Sequence, residues 1–367
     1  FTNFSQDHLD YHKNMKNYLN AKLILFSKLL KKNQNIITDN EIPEFIKLNT
    51  ITKKNDLNLL TVGVKNSTIE FKSIKHNNNF QNIIFKYKKK NYTAQIPLIG
   101  LFQIKNLFMA ILAAKLSGLK IDNILHIAKN IKEVNGRLQL VKTIPNQTKI
   151  FIDYAHTPDA LRTTLQALKE HYKVKPIVVF GCGGERDKKK RPKMANVCEK
   201  NAEKIYVTDD NPRSENPKLI RQNIISGFSK KLIIIEIPSR AEAIETAVVE
   251  SQPNSIILIA GKGHENTQTY GNKIIKISDR EIINNISGRK IKFDKKKYNK
   301  IFNEEIIKKI VKKNKLKFEG VSINSKNVKK ENLFVAIKGK NYDGHIFVKE
   351  ALKKKLIIVW FKKKLTK

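Results

Sequence analysis

The stretch Lys149-Ile-Phe-Ile-Asp-Tyr-Ala-His-Thr-Pro-Asp159 runs from an apolar strand pattern into a polar loop, and Pro158–Tyr172 then has helical spacing. The same order recurs downstream. Strands are expected at Lys149–Asp153, Pro176–Phe180, Lys204–Thr208, Leu232–Ile237 and Ser255–Ala260. Helices are expected between them, as at Pro217–Lys230 and Ser239–Glu250. This alternation is the βαβ rhythm of a parallel sheet, so residues 135–287 are read as a Rossmann-like, mostly parallel α/β domain.

Outward from there the pattern changes on both sides. Residues 1–134 read as mixed α/β, with a helix over Asn14–Lys31, short strands such as Thr61–Val64 and Asn82–Tyr87, and helices at Phe102–Leu116 and Asp122–Ile131. Gly118 suits a helix C-cap. The Lys-rich stretch 288–300 reads as a linker. Residues 301–367 open a further α/β unit, with a helix near Asn303–Lys313, a strand at Asn332–Lys338 and an apolar run at Leu356–Phe361. The chain begins at Phe1 and stops abruptly, as expected of a piece of a longer reading frame.

The chain has 367 residues and a formal net charge of +39. Of its basic residues 63 are Lys and nine are Arg, and all nine Arg lie between Arg137 and Arg289. Lys so widely spread reads as a compositional habit and as steering of anionic substrates, not as a nucleic-acid face, although Lys86–Tyr92 interleaves Tyr with Lys. The scarce Arg mark places where a planar fork is needed. No apolar run reaches about 18 residues, so no membrane insertion is expected. Cys182 and Cys198 cannot make a disulfide framework, and a cytoplasmic location fits.

Four polar clusters each follow an expected strand: Asp153–Asp159, Gly181-Cys-Gly-Gly-Glu-Arg-Asp187, Asp209-Asp-Asn-Pro-Arg213 and Gly261-Lys-Gly-His-Glu265. Ligands bind beyond the carboxyl ends of strands in open parallel sheets. Arg186 and Arg213 can grip a carboxylate, and Asp210 and Glu265 an ammonium, so an amino acid suits the set. The plainer alternative is that Asp210 and Arg213 only cap the turn into the next helix. In the N-terminal helix, Lys22 falls within the apolar stripe of Met15, Tyr18, Leu19, Phe26 and Leu30. Such a Lys is paired, modified or deprotonated, or else it snorkels to water. Asp7-His-Leu-Asp-Tyr-His12 is a candidate metal or phosphate site. No Gly-x-x-x-x-Gly-Lys-Ser/Thr loop occurs, so a phosphate loop is expected upstream of Phe1 if ATP is used that way.

These clusters, with Phe1-Thr-Asn-Phe-Ser-Gln-Asp-His-Leu-Asp-Tyr-His12, Ala21-Lys22, Asn106 and Asn135-Gly-Arg137, together resemble the Mur ligase family of ATP-dependent amide-forming ligases of peptidoglycan synthesis. Within it they are similar to the branch that adds meso-diaminopimelate to UDP-N-acetylmuramoyl-L-alanyl-D-glutamate. The resemblance implies that 1–134 is the remnant of a central ATPase domain and 135–287 the C-terminal, amino-acid-binding domain. It implies that Lys22 is carbamylated and, with His8, holds Mg²⁺, and that Asn106, Arg137 and Asp153 contact ATP. It places Arg186, Asp210, Asn211, Pro212, Arg213, Gly261 and Glu265 in a diaminopimelate pocket, where Arg213 meets the carboxylate that lysine lacks. The chemistry implied is phosphorylation of the D-glutamate carboxylate by ATP and attack of the amine on the acyl phosphate.

The tail stretches Ser322-Ile-Asn-Ser-Lys326, Leu333–Gly339 and Asn341–His345 are similar to the start of a Mur ligase UDP-sugar-binding domain, as in the D-alanyl-D-alanine-adding branch. That implies a natural fusion of two ligases, with Ser325 near the UDP-sugar. Because the phosphate loop is missing, the piece is expected to be inactive by itself. The rival readings are a folylpolyglutamate-synthetase-like ligase, which should lack the Asp-Asn-Pro-Arg cluster, and a basic nucleic-acid-binding protein.

Overall fold

The computed structural model describes residues 1–77, 80–229 and 234–286, together with the backbone of three short strands between 320 and 361. Phe1–Ile291 form one compact unit and Lys292–Lys367 a second. The expected linker at 288–300, the helix at Asn303–Lys313 and Ser325 lie outside the described residues.

The N-terminal part of the first unit contains α1 (Leu9–His12), α2 (Met15–Ile24), β1 (Asn35–Asp39), α3 (Phe45–Lys54), β2 (Asn58–Gly63), β3 (Ile69–His76), β4 (Gln81–Tyr87), β5 (Lys90–Ile96), α4 (Leu101–Leu116) and α5 (Ile121–Ala128). The strands form one sheet in order β1-β2-β3-β4-β5, parallel from β1 to β3 and antiparallel from β3 to β5. Alternation along β4 sends Ile83 and Phe85 inward, and Phe108 of α4 meets Phe85 and Phe71 edge-on at 4.8 and 5.0 Å. The single helix expected over Asn14–Lys31 is corrected. It is α-helical only to Ile24, and Leu25–Leu29 form a π-turn that lets both Leu23 and Phe26 bury against Ile36, Leu48 and Leu57.

The rest of this unit contains β6 (Gln139–Thr143), β7 (Lys149–Asp153), α6 (Pro158–Tyr172), β8 (Ile177–Phe180), α7 (Lys190–Asn201), β9 (Lys204–Val207), α8 (Pro217–Ile225), β10 (Ile234–Glu236), α9 (Arg240–Val249), β11 (Ile256–Ala260), β12 (Thr267–Tyr270), β13 (Lys273–Lys276) and α10 (Asp279–Ile286). The main sheet has order β10-β9-β8-β11-β7-β6 and is parallel except for β6. Its strands are apolar on both faces, as a sheet covered by helices on each side requires. Phe151, Val178, Phe180 and Leu258 pack on one side with Leu161, Leu165 and Met194; Ile150, Val179, Ile257 and Ile259 pack on the other with Ile244 and Ile283. Ile99 and Phe102 of the N-terminal part pack against the first of these layers.

Helix limits are shorter than the periodicity suggested at α5 and α8, which end at Ala128 and Ile225. Both cysteines are buried and free, and burial pushes the Cys182 thiol up to about 12. Among the described residues no helix is long and apolar enough to cross a membrane. In the second unit the described strands are β14 (Gly320–Ser322), β15 (Asn332–Ala336) and β16 (Ile358–Phe361), paired parallel in that order.

Candidate active site

The loops after β7, β8, β9 and β11 lie at one edge of the sheet and hold one another. Gly184 N donates to Asn211 O at 2.8 Å, and Asn211 Nδ2 donates to Glu265 Oε2 at 3.0 Å. Tyr154 Oη donates to the other Glu265 oxygen at 3.3 Å. Asn211 thus ties the loop after β9 to those after β8 and β11.

Arg213 has a left-handed backbone (φ 52°), which a non-glycine residue adopts only when its surroundings impose it. Here the β12–β13 hairpin does so. Arg213 N donates to Thr269 O at 2.8 Å, and Gly271 N donates to Arg213 O at 2.6 Å. Thr269 N reaches Asn211 Oδ1 at 3.0 Å, and Gln268 Nε2 reaches Asp209 O at 3.0 Å. The side chain is aimed by Gly184 O, which accepts from Arg213 Nη1 at 2.8 Å. A Cβ on Gly183 would lie 2.9 Å from that nitrogen and 3.8 Å from Arg186 Cγ, so Arg186 and Arg213 flank one glycine. Pro212 is buried in the turn between them and Asn211. The helix-capping alternative is set aside, because the N-cap of α8 is Asn216, whose side chain accepts from Lys218 N.

On the opposite side, Asp210 and Gly261 are buried and Glu265 is half-buried. Burial raises the Asp210 carboxyl above its ordinary range, against the pull of Arg240 and Lys262. The cluster therefore brings Arg186 and Arg213 about Gly183 onto the same loops as Asp210 and Glu265, with Arg240 and Lys262 buried beside those carboxylates. Groups of both signs can meet a zwitterion.

A second group forms around Tyr154. Arg137, itself exposed, lies over its ring at 4.5 Å, and the rings of His264 and His156 pack against it at 5.7 and 4.7 Å. Asn135-Gly-Arg137 and Gly261–Glu265 meet backbone to backbone at Gly136 and Gly263. Asp153 is buried and fully occupied by its own chain. It accepts from Leu138 N at 3.0 Å, Tyr154 N at 2.8 Å and Thr164 Oγ1 at 2.6 Å. Burial raises its carboxyl despite these donors. Asn106 is exposed on α4, next to Lys105, whose Nζ lies 2.6 Å from both Asp39 and Glu41.

His8 and Lys22 share Tyr18. The His8 ring is 5.9 Å from it, and Lys22 Nζ stands over it at 5.1 Å and over Phe1 at 5.7 Å. No ion pair to Lys22 occurs among the described residues. Nor, among them, does any group of three or more His, Cys, Asp and Glu suit a metal ion. Asp7 lies between His8 and His156, 3.4 Å from each. Burial would raise its carboxyl, but the hydrogen bond and charge of His156 outweigh this and hold it down at about 2. Gln6 continues the contact, donating to Asp187 at 2.6 Å and accepting from Lys193 at 2.6 Å. Sequence reading missed these contacts, the hairpin clamp and the buried Lys262 and Arg240. Only the rarity of Arg signalled the last.

The sequence matches two family models: the Mur ligase middle domain over residues 1–114 and the Mur ligase, glutamate ligase domain over residues 136–263. The chain belongs to the Mur ligase family. A relative from Rickettsia montanensis, named UDP-N-acetylmuramoyl-L-alanyl-D-glutamate--2,6-diaminopimelate ligase, is 42% identical over 285 residues, covering 77% of this chain and 58% of the relative. The chain thus spans less than two thirds of the length of such Mur ligases. A solved structure of a ligase of that name superposes with a TM-score of 0.52 at 29% identity, covering 77% of this chain and 58% of that one. The Mycobacterium tuberculosis folylpolyglutamate synthase, solved with ADP and AMPPCP, shares the fold with a TM-score of 0.59 at 18% identity, over 71% of this chain and 60% of its own.

Proposed function

We propose that this Mur ligase chain belongs to an ATP-dependent enzyme that joins meso-diaminopimelate to UDP-N-acetylmuramoyl-L-alanyl-D-glutamate in the cytoplasm. The observation that carries the reading is the grouping of Arg186 and Arg213 about Gly183 with Asp210 and Glu265 on the adjoining loops, joined through Asn211. The name of the Rickettsia montanensis relative supports the same substrates. In this reading Arg213 and Arg186 bind the far carboxylate of diaminopimelate, Asp210 and Glu265 bind its ammonium, and Asn211, Pro212 and Gly261 shape the turn between them. The division at 134/135, with the amino-acid pocket in 135–287, belongs to the same reading.

ATP is the second substrate. Exposed Arg137, stacked on Tyr154, and exposed Asn106 are free to contact a nucleotide, whereas Asp153 orients the loop through its three donors. The residues suit Mg²⁺ only if Lys22 is carbamylated, since an ammonium repels a cation and a carbamate adds a carboxylate-like donor beside His8. When bound, Mg²⁺ offsets the negative charge of phosphoryl transfer. The chain's own part is positioning and electrostatics. Folylpolyglutamate synthase shares the fold, but nothing at the pocket favours that activity.

The test is amino-acid selectivity in the natural protein that carries this chain. Loss of one partner of a buried charge pair costs about 2–5 kcal/mol. Arg213→Ala should weaken use of meso-diaminopimelate by several tens-fold or more and change the KM for ATP little. Equal use of meso-diaminopimelate and L-lysine by the wild type would refute the reading.

A further inference from the structure

Arg240, the first residue of α9, is 1% exposed. Its Nε and Nη2 donate to the two oxygens of Asp279 at 2.7 Å each, and Nη2 also donates to Ala260 O at 3.1 Å. Its Nη1 has no hydrogen-bond partner and lies 4.0 Å from Asp210 Oδ2. A buried N–H left unpaired costs about 1–3 kcal/mol, more when charged. The fork is therefore held in place by Asp279 and aimed at Asp210 without closing on it. Gly261 allows this arrangement, because a Cβ there would stand 2.5 Å from Asp210 Oδ2.

Several groups face Asp210. Arg240 and Asp279 come from α9 and α10, Lys262 and Glu265 from the loop after β11, Tyr154 from the loop after β7 and Cys182 from the loop after β8. Lys262 Nζ is already occupied by Thr267 O and lies 3.6 Å from Glu265. Arg240 and Lys262 carry two positive charges against three on Asp210, Glu265 and Asp279. With all three carboxylates ionised, the cluster has one net negative charge.

We propose that Arg240 is a positioning residue which, anchored by Asp279, keeps Asp210 ionised and presented, so that the pocket takes the ammonium group of an amino acid. This deepens the proposed function and rests on its pocket. Burial raises the Asp210 carboxyl, and Arg240 is the first of the charges that pull it back. Without Arg240 the carboxyl rises further. As pH falls, ammonium binding is then lost earlier than in the wild type, and it returns as pH climbs through the higher midpoint.

The experiment follows the Asp210 carboxyl directly by ¹³C NMR titration of the chain. It compares wild type, Arg240→Lys and the double variant Arg240→Met/Asp279→Asn, which leaves no lone charge at 279. The double variant should raise the Asp210 midpoint, because Arg240 acts on it more strongly than Asp279 and the loss of Asp279 offsets only part of the change, whereas Arg240→Lys, which keeps the charge, should hold it closer to wild type. The pH below which meso-diaminopimelate binding is lost should rise with the Asp210 midpoint. An unchanged Asp210 midpoint in the folded double variant overturns the proposal. If the double variant does not fold, Arg240→Gln is titrated in its place, and an unchanged Asp210 midpoint there overturns the proposal. If Asp210 shifts as expected but wild type binds no meso-diaminopimelate, the relay stands and the amino-acid reading of the pocket fails.

Discussion

Gly136→Ala should destabilise the first unit by about 2–5 kcal/mol, a sum of two separable effects. Gly136 has φ +70°, where an L side chain costs about 1–2 kcal/mol. In addition, the new methyl would stand 2.3 Å from His264 N and 2.5 Å from Gly263 C. These are backbone atoms of the facing loop, with no flexible side chain to give way, so the loops must part at an overpacking cost of about 1–3 kcal/mol. The sum corresponds to roughly 30-fold to several-thousand-fold in the unfolding equilibrium. Gly118→Ala separates the two effects, because Gly118 has φ +94° but open space where its Cβ would be. It should lose only the first part. The assay is urea unfolding followed by far-ultraviolet circular dichroism, since the single Trp lies outside this unit. Equal losses in the two variants would show that the meeting of the Asn135–Arg137 and Gly261–Glu265 loops does not constrain residue 136.

The remaining predictions are shorter. The Asp7 carboxyl is held at about 2, below its ordinary 3.8, so its stabilising contribution is complete above about pH 4 and is lost as pH falls toward 2. Asp7→Asn should therefore remove about 1–2 kcal/mol of acid-dependent stability and flatten the acid unfolding profile there, whereas an unchanged profile would mean the His156 contact contributes nothing. Lys22 should give a carbamate signal in ¹³C NMR when the protein is equilibrated with ¹³C-bicarbonate. A signal that survives in Lys22→Ala would place the modification elsewhere, and no signal in wild type would remove the basis for Mg²⁺ at this lysine.

The parallel sheet was legible because its strands are buried on both faces and so read as unbroken apolar runs, as in Ile256–Ala260. The rarity of Arg was legible in the same way. Arg191, Arg221 and Arg240 are all buried against carboxylates, where a Lys would not fork. The β12–β13 hairpin was not legible. Its second strand, Lys273–Lys276, is exposed at every position and so carries no alternation. The π-turn after Ile24 was hidden for the opposite reason. One extra residue per turn shifts which apolar side chains face inward, and a regular helical projection cannot register that.

The strap over Gln6–His8 shows what spacing alone cannot give. Gln6 meets Asp187 and Lys193 across 181 and 187 positions of sequence, and Asp7 meets His156. His8, a candidate on the nucleotide side, is adjacent to Asp7, and Arg186, a candidate on the amino-acid side, is adjacent to Asp187. One short segment therefore ties both halves of the proposed site together. Half-exposed polar contacts of this kind are worth at most about 1–2 kcal/mol each. The buried layer that includes Ile99 and Phe102 holds the two parts together more strongly, through apolar area. The strap is thus the weaker of the two connections, and it fixes orientation more than it adds stability. Opening it would separate His8 from the loop that carries Arg186 while leaving both cores intact.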